Sequence, residues 1–173
     1  MVSHKLHTRW CVKLGLPRDL CSEINRLIDF ECGKHDVGRR KSMAYIDAGG
    51  IPIRVAGGSG RYASKASGFV RLKKIHLDAR DLLNCLRRFY GEPVPSDAIK
   101  AAILHHLLDE LEQIIKRHEV EPFKDALHEA VNRLDLLRKH CPREFREVLA
   151  FVTKHAGGIV SSVAKEATAV RRH

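Results

Sequence analysis

Several common features are missing from this chain. It has no stretch approaching the roughly 18 uncharged apolar residues of a membrane-spanning helix, and its opening MVSHKLHTRW lacks the apolar run of a secretory leader. These absences predict a chain without a membrane span or signal peptide, resident in the cytoplasm. Aromatic residues amount to 6%, with a single tryptophan, and Tyr45, Tyr62 and Phe69 are too sparse for an RNA-recognition sheet built on stacked rings. The five cysteines, Cys11, Cys21, Cys32, Cys85 and Cys141, are odd in number, dispersed and without a Cys-x-x-Cys pair. That pattern argues against a secreted disulfide framework and predicts reduced thiols. No repeat period is evident. The GGSGRYAS segment at 57–64 lacks the Gly-Lys-Ser/Thr ending of a phosphate-binding loop, and no helix opens directly after it as a dinucleotide fingerprint requires.

What is present points to a folded, basic protein. With 44% hydrophobic and 30% charged residues over 173 positions, the chain can bury one core beneath a charged exterior, and its length suits a single domain with an embellishment. The net charge of +10 is uneven. Through Ile75 there are 15 Lys/Arg against 6 Asp/Glu, whereas from His76 onward the balance is 16 against 15. The density is greatest over Val37–Ile75, where nine basic residues meet one acid, Asp47. Such a patch attracts polyanions, whether nucleic acid, nucleotide or anionic membrane, without selecting among them. A generally basic solvated surface is the simpler account.

Apolar spacing divides the chain. Ser3 can cap a first helix through Leu14, with Leu6, Trp10 and Leu14 on one stripe and Gly15 as the stop. Pro17 opens a second helix, whose Leu20, Ile24, Leu27 and Ile28 recur before Gly33. Val37–Ile75 holds seven glycines, and its alternating stretches at Ile51–Val55 and Gly68–Leu72 predict strands in a hairpin or inserted loop. From His76 the pattern is helical again: Ala79–Tyr90, then Ser96 to about His118, then Pro122–Lys139. A helix from Pro142 should stop at Gly157 and Gly158, followed by a short terminal helix over Ile159–His173. The expected fold is all-α, a compact bundle of about six or seven helices with a Gly-rich insertion, hairpin-like, at about 40–75.

Eleven histidines are many for this length, so their clustering carries the chemistry. His4, His7 and Cys11 share one helical face, and imidazoles projecting together suit a metal ion. His35 and Asp36 follow the Gly33 break, where a turning backbone can aim both side chains at one ion. A neutral nitrogen with a hard oxygen suits divalent Mn, Fe, Zn, Ni or Mg better than a thiolate site does. In AAILHHLLDELE, residues 101–112, His105 and Asp109 lie four apart and stack on one face. Ala98, Ala101 and Ala102 adjoin them, which permits close approach of another helix and equally suits a solvated face.

Together these segments resemble the HD-domain superfamily of metal-dependent phosphohydrolases, which carries a first His on an N-terminal helix, a later His-Asp dipeptide and a distant helical Asp within a bundle. Here His7 precedes His35 by 28 residues, and His35-Asp36-Val37-Gly38-Arg39 is similar to the family's His-Asp-aliphatic-Gly-Lys/Arg element. The resemblance implies His7, His35, Asp36 and Asp109 as ligands of a divalent metal ion, with His76, His105 or His106 available to a second metal or the substrate phosphate. It further implies that Arg39, Arg40 and Lys41 neutralise charge building on a phosphoryl group. The Gly-rich stretch with Arg54, Arg61 and Lys65 would then cover the substrate as a lid. The implied substrate is a phosphoester, either a phosphate-containing small molecule such as a nucleotide or a nucleic acid.

Two other readings compete. In one, the protein binds nucleic acid or protein without catalysis, the basic insertion tracking phosphates while Tyr45, Tyr62 and Phe69 stack on bases. In the other, His7, Cys11, Cys32 and His35 hold a structural zinc that pins the first helices together.

Overall fold

The structure of the protein, a computed structural model, describes residues 2–31, 40–48, 51–54, 70–76, 79–117 and 124–169. The chain divides into two units, one formed by Met1–Gly38 with Asp78–His173 and the other by Arg39–Leu77. In the first unit α1 (His4–Lys13) precedes α2 (Arg18–Arg26), which runs straight into a π-helical turn over Leu27–Glu31. There follow α3 (Ala79–Tyr90), α4 (Ser96–Arg117), α5 (Lys124–Arg133), α6 (Asp135–His140), α7 (Pro142–Lys154) and α8 (Ala156–Ala169). This unit is all-α, as the apolar spacing predicts. Among the described residues no helix is long and apolar enough to cross a membrane.

The long helix α4 is the axis of the core, and α1, α2, α3, α5, α7 and α8 all pack against it. Leu104, Leu107, Leu108, Leu111, Ile114 and Ile115 fill a broad apolar face. The alanine face, which the sequence leaves open to either a packed helix or solvent, is buried too: Ala98, Ala101 and Ala102 lie inside. A helix apolar on nearly every side belongs in an interior. Its buried acids are compensated, since Glu110 accepts from Arg133 Nη1 at 3.2 Å and Glu112 pairs with Lys116 Nζ at 2.9 Å.

The N-terminus is tied down on both sides. The Ser3 hydroxyl caps α1 by accepting from the Leu6 N–H at 3.2 Å, and it donates to Glu166 of α8 at 2.6 Å. Two turns on, Trp10 Nε1 donates to Ser162 Oγ at 3.0 Å. Gly15 and Gly91 end α1 and α3 with φ of +96° and +77°, conformations that favour glycine.

Three expectations need correction. Gly157 and Gly158 do not stop a helix; they lie in the first turn of α8, and the break falls at His155. A Cβ at Gly158 would stand 3.2 Å from Trp10 Cη2, so glycine is there for close packing against the indole. The helix expected over Pro122–Lys139 is two, with Leu134 between α5 and α6. The thiols are not all reduced: Cys11 and Cys21 form a disulfide between α1 and α2, and Cys85 is disulfide-bonded as well. The described free thiol is Cys141. Cysteine count and spacing say nothing of which sulfurs meet once two helices fold antiparallel.

In the second unit β1 (Arg40–Ala48), β2 (Ile51–Arg54) and β3 (Val70–His76) form an antiparallel sheet of order β2-β1-β3. Tyr45 pairs with Arg54 and Arg40 with His76. Alternation in the sequence pointed to the second and third of these strands and missed the first.

Candidate metal centre

Helix α1 supplies His7, the end of α2 supplies Asn25, the π-helical turn supplies Asp29, and α4 supplies His105, His106 and Asp109. His7, His105 and Asp109 each keep 2% or less of their surface exposed. One ligand atom from each lies within 4.8 Å of the others, so this buried group could hold a metal ion. The imidazoles of His7 and His105 stack with centroids 4.1 Å apart. His7 Nε2 stands 3.4 Å from Asp109 Oδ1, and His105 Nε2 lies 3.5 Å from Asp109 Oδ2 and 3.3 Å from Asp29 Oδ1.

The hydrogen-bond pattern settles what these nitrogens present. His105 Nδ1 is 3.0 Å from Asn25 Oδ1, and an amide oxygen only accepts, so Nδ1 carries the proton. Asn25 is itself oriented by its amide nitrogen, which donates to Thr8 Oγ1 at 3.1 Å. The neutral His105 ring therefore turns the lone pair of Nε2 toward two carboxylates. Neither Nε2 of His105 nor either ring nitrogen of His7 makes a hydrogen bond of normal geometry, although all are buried. For His105 Nε2 this is an acceptor facing acceptors, which is costly in a dry interior, as is an unpaired ring nitrogen on His7. A cation among them removes that cost, and two imidazole nitrogens with carboxylate oxygens suit a divalent Zn, Mn, Fe or Ni ion.

Electrostatics agree. Burial, reinforced by the neighbouring His7, holds the His105 imidazole below its ordinary value despite Asp29 and Asp109. Burial pushes the Asp109 carboxyl up, but the contact with His7 outweighs it and holds the group well below the usual carboxylate range. The Val2 N–H donates to Asp109 Oδ1 at 3.2 Å and fixes the carboxylate.

The sequence-derived ligand set is partly in view. The structure brings His7 and Asp109 together and adds His105, which the resemblance reserved for a second metal or the phosphate. His106 is buried beside His105, with ring centroids 5.5 Å apart. His35, Asp36 and Arg39 lie outside the described residues; of Arg40, Lys41 and His76 only the strand backbone is described. The zinc set of His7, Cys11, Cys32 and His35 fails at Cys11, whose sulfur is bonded to Cys21.

Sequence reasoning missed Asp29, whose side chain is 2% exposed and which also pairs with His4 from α1. A signal existed. Asp29 is a lone carboxylate inside the apolar run Leu27-Ile28-Asp29-Phe30, where a charge needs a partner. The π-helical turn that carries it is a geometry often found at functional sites. No protein-family model, curated protein or solved structure matches this chain.

Proposed function

We propose that the protein is a metal-dependent phosphohydrolase of the HD type acting on a nucleotide or nucleic-acid phosphoester. The observation that carries this reading is the convergence of His7, His105 and Asp109 with buried ring nitrogens that lack hydrogen bonds. An ion bound there supplies Lewis-acid polarisation of a phosphoryl oxygen and a lowered pKa for its water. The protein's own groups set the stage. Asn25 fixes the His105 tautomer, the Val2 N–H fixes Asp109, and Asp29 adds a second carboxylate with His4 beside it. His35 and Asp36 are proposed to complete the ligand set, and Arg39, Arg40 and Lys41 to meet the phosphate.

The test is release of phosphate or nucleoside from a generic phosphoester with Mn or Ni added after metal content has been measured. Activity is expected in the wild type and lost in His7→Ala, Asp109→Ala and His35→Ala. A fully loaded protein that releases nothing overturns the proposal.

One observation favours a second reading, a structural ion in a binding module. His7 and His105 are almost wholly enclosed, and closed coordination is the mark of structural sites. In that case chelator lowers the melting temperature while no phosphoester is cleaved.

A further inference from the structure

A cleft of about 620 Å³ opens between α1 and α2, and its wall is basic. Lys5, Arg9 and Lys13 line it from α1 and Arg18 from α2, and no acid stands among the described lining residues. Two of its other lining residues, His4 and Asn25, touch the metal centre: His4 pairs with Asp29, and Asn25 holds His105. The cleft thus adjoins the buried ligands through these two side chains. Two of its cations are also held in place. Arg9 and Lys13 lie against the Trp10 ring, at 5.6 Å and 4.5 Å from its centroid, which limits their wandering.

The spacing of these charges selects a ligand. Lys5, Arg9 and Lys13 stand four residues apart, so the backbone positions that carry them rise about 6 Å per step along the helix. That step is close to the distance between successive phosphates of an extended single strand. It is far longer than the distance between phosphorus atoms that share one bridging oxygen, as in a nucleoside triphosphate. Apart from the His4 imidazole, no described lining residue is aromatic, so bases find no carbocyclic ring to stack on, and contact falls on the backbone.

The geometry points to a single-stranded nucleic acid, read through its phosphodiester backbone without base preference, as the ligand of the α1–α2 cleft. This rests on the phosphohydrolase reading for its purpose, since the strand then runs past His4 toward the metal ligands. As a statement about binding it stands by itself.

The test measures binding of a fluorescein-labelled oligothymidylate by anisotropy across a range of salt, with chelator present so that no cleavage intrudes. Each phosphate neutralised on a single strand contributes about 0.7 to the slope of log affinity against log salt. Lys5→Gln with Arg18→Gln touches neither Trp10 nor the metal ligands; it is expected to flatten the slope by about 1.4 relative to wild type and to weaken binding at least tenfold. If that protein unfolds, Arg9→Gln with Lys13→Gln should give the same change. An unchanged slope in a folded double variant overturns the inference, because basic residues elsewhere would then account for all binding. So does displacement of the strand by adenosine triphosphate at equal phosphate concentration, which would mark a nucleotide site. Strand binding that passes while phosphoester release fails sinks the hydrolase alone; the reverse result sinks only the strand.

Discussion

His105 Nδ1 donates to Asn25 Oδ1 across 3.0 Å, and this contact fixes which nitrogen of a wholly buried imidazole is free to bind. Residues that orient a ligand this way commonly govern affinity for the ion by about 10–100-fold. Asn25→Ala is therefore expected to weaken zinc or manganese binding by about that factor. Asn25→Asp, which keeps an acceptor at the same place, should retain most of the affinity. Competition with a chelating dye measures both. Equal losses in the two variants would show that Asn25 acts through packing instead.

Removal of the ion should have a thermal signature. A ligand held only by the folded state at about 100 times its Kd stabilises by about 2.7 kcal/mol, which for a chain of this size is about 5–10 °C in Tm. Zinc or manganese in free excess at about 100 times its Kd is expected to raise Tm by that order in the wild type and to leave Asp109→Asn unmoved. Differential scanning calorimetry with and without chelator reads the result.

How much of this was legible beforehand depends on the length scale of each cause. Helical periodicity is local, so α1, α2, α3, α4 and α7 could be read off the chain, as could the stop at Gly15. Residues His7, His105 and Asp109 could be singled out by type and spacing. Their meeting could not, because it depends on α1 and α4 packing together across the core. The same limit hid Asp29, whose partners His4 and His105 are 25 and 76 positions away. It also hid the Cys11–Cys21 bond, which a helical turn-back creates.

Gly157 and Gly158 separate local propensity from packing. A Cβ at Gly157 meets nothing within 4 Å, while one at Gly158 meets Trp10 Cη2 at 3.2 Å. Gly157→Ala should be stabilising by about 0.5–1 kcal/mol, since alanine favours the helix. Gly158→Val should be destabilising by about 1–3 kcal/mol through displacement of the indole. Urea denaturation followed by Trp10 fluorescence distinguishes them. Similar values for both would mean that α8 shifts freely away from Trp10.

The Cys11–Cys21 bond closes a short loop, with a sequence separation of 10. Loop entropy in the unfolded chain then makes it worth about 2–3 kcal/mol. Cys11→Ala with Cys21→Ala should lower Tm by about 5–10 °C without dithiothreitol, leaving the disulfide at Cys85 untouched. Because Cys11 lies one turn beyond His7 on α1, metal affinity in the double variant reports whether the bond also steadies the ligand. A Tm equal to wild type would mean that the Asn25–Thr8 and His4–Asp29 contacts, with the surrounding core, hold the two helices without the bond.

Cys141, between α6 and α7, offers a pH dependence with a definite sign. Burial, with Glu144 adding to it, pushes its thiol up to about 11 from an ordinary value of 9.0. The thiolate is the reactive form, so at a given pH below both values the folded protein presents about a hundredfold less of it than the unfolded chain does. Alkylation by iodoacetamide at pH 8, followed at the Cys141 peptide by mass spectrometry, should be about that much slower in the native state than in urea. The native rate should keep climbing about tenfold per pH unit past 9, where an exposed thiol levels off. A native rate that flattens near 9 would place the sulfur in water and contradict its burial.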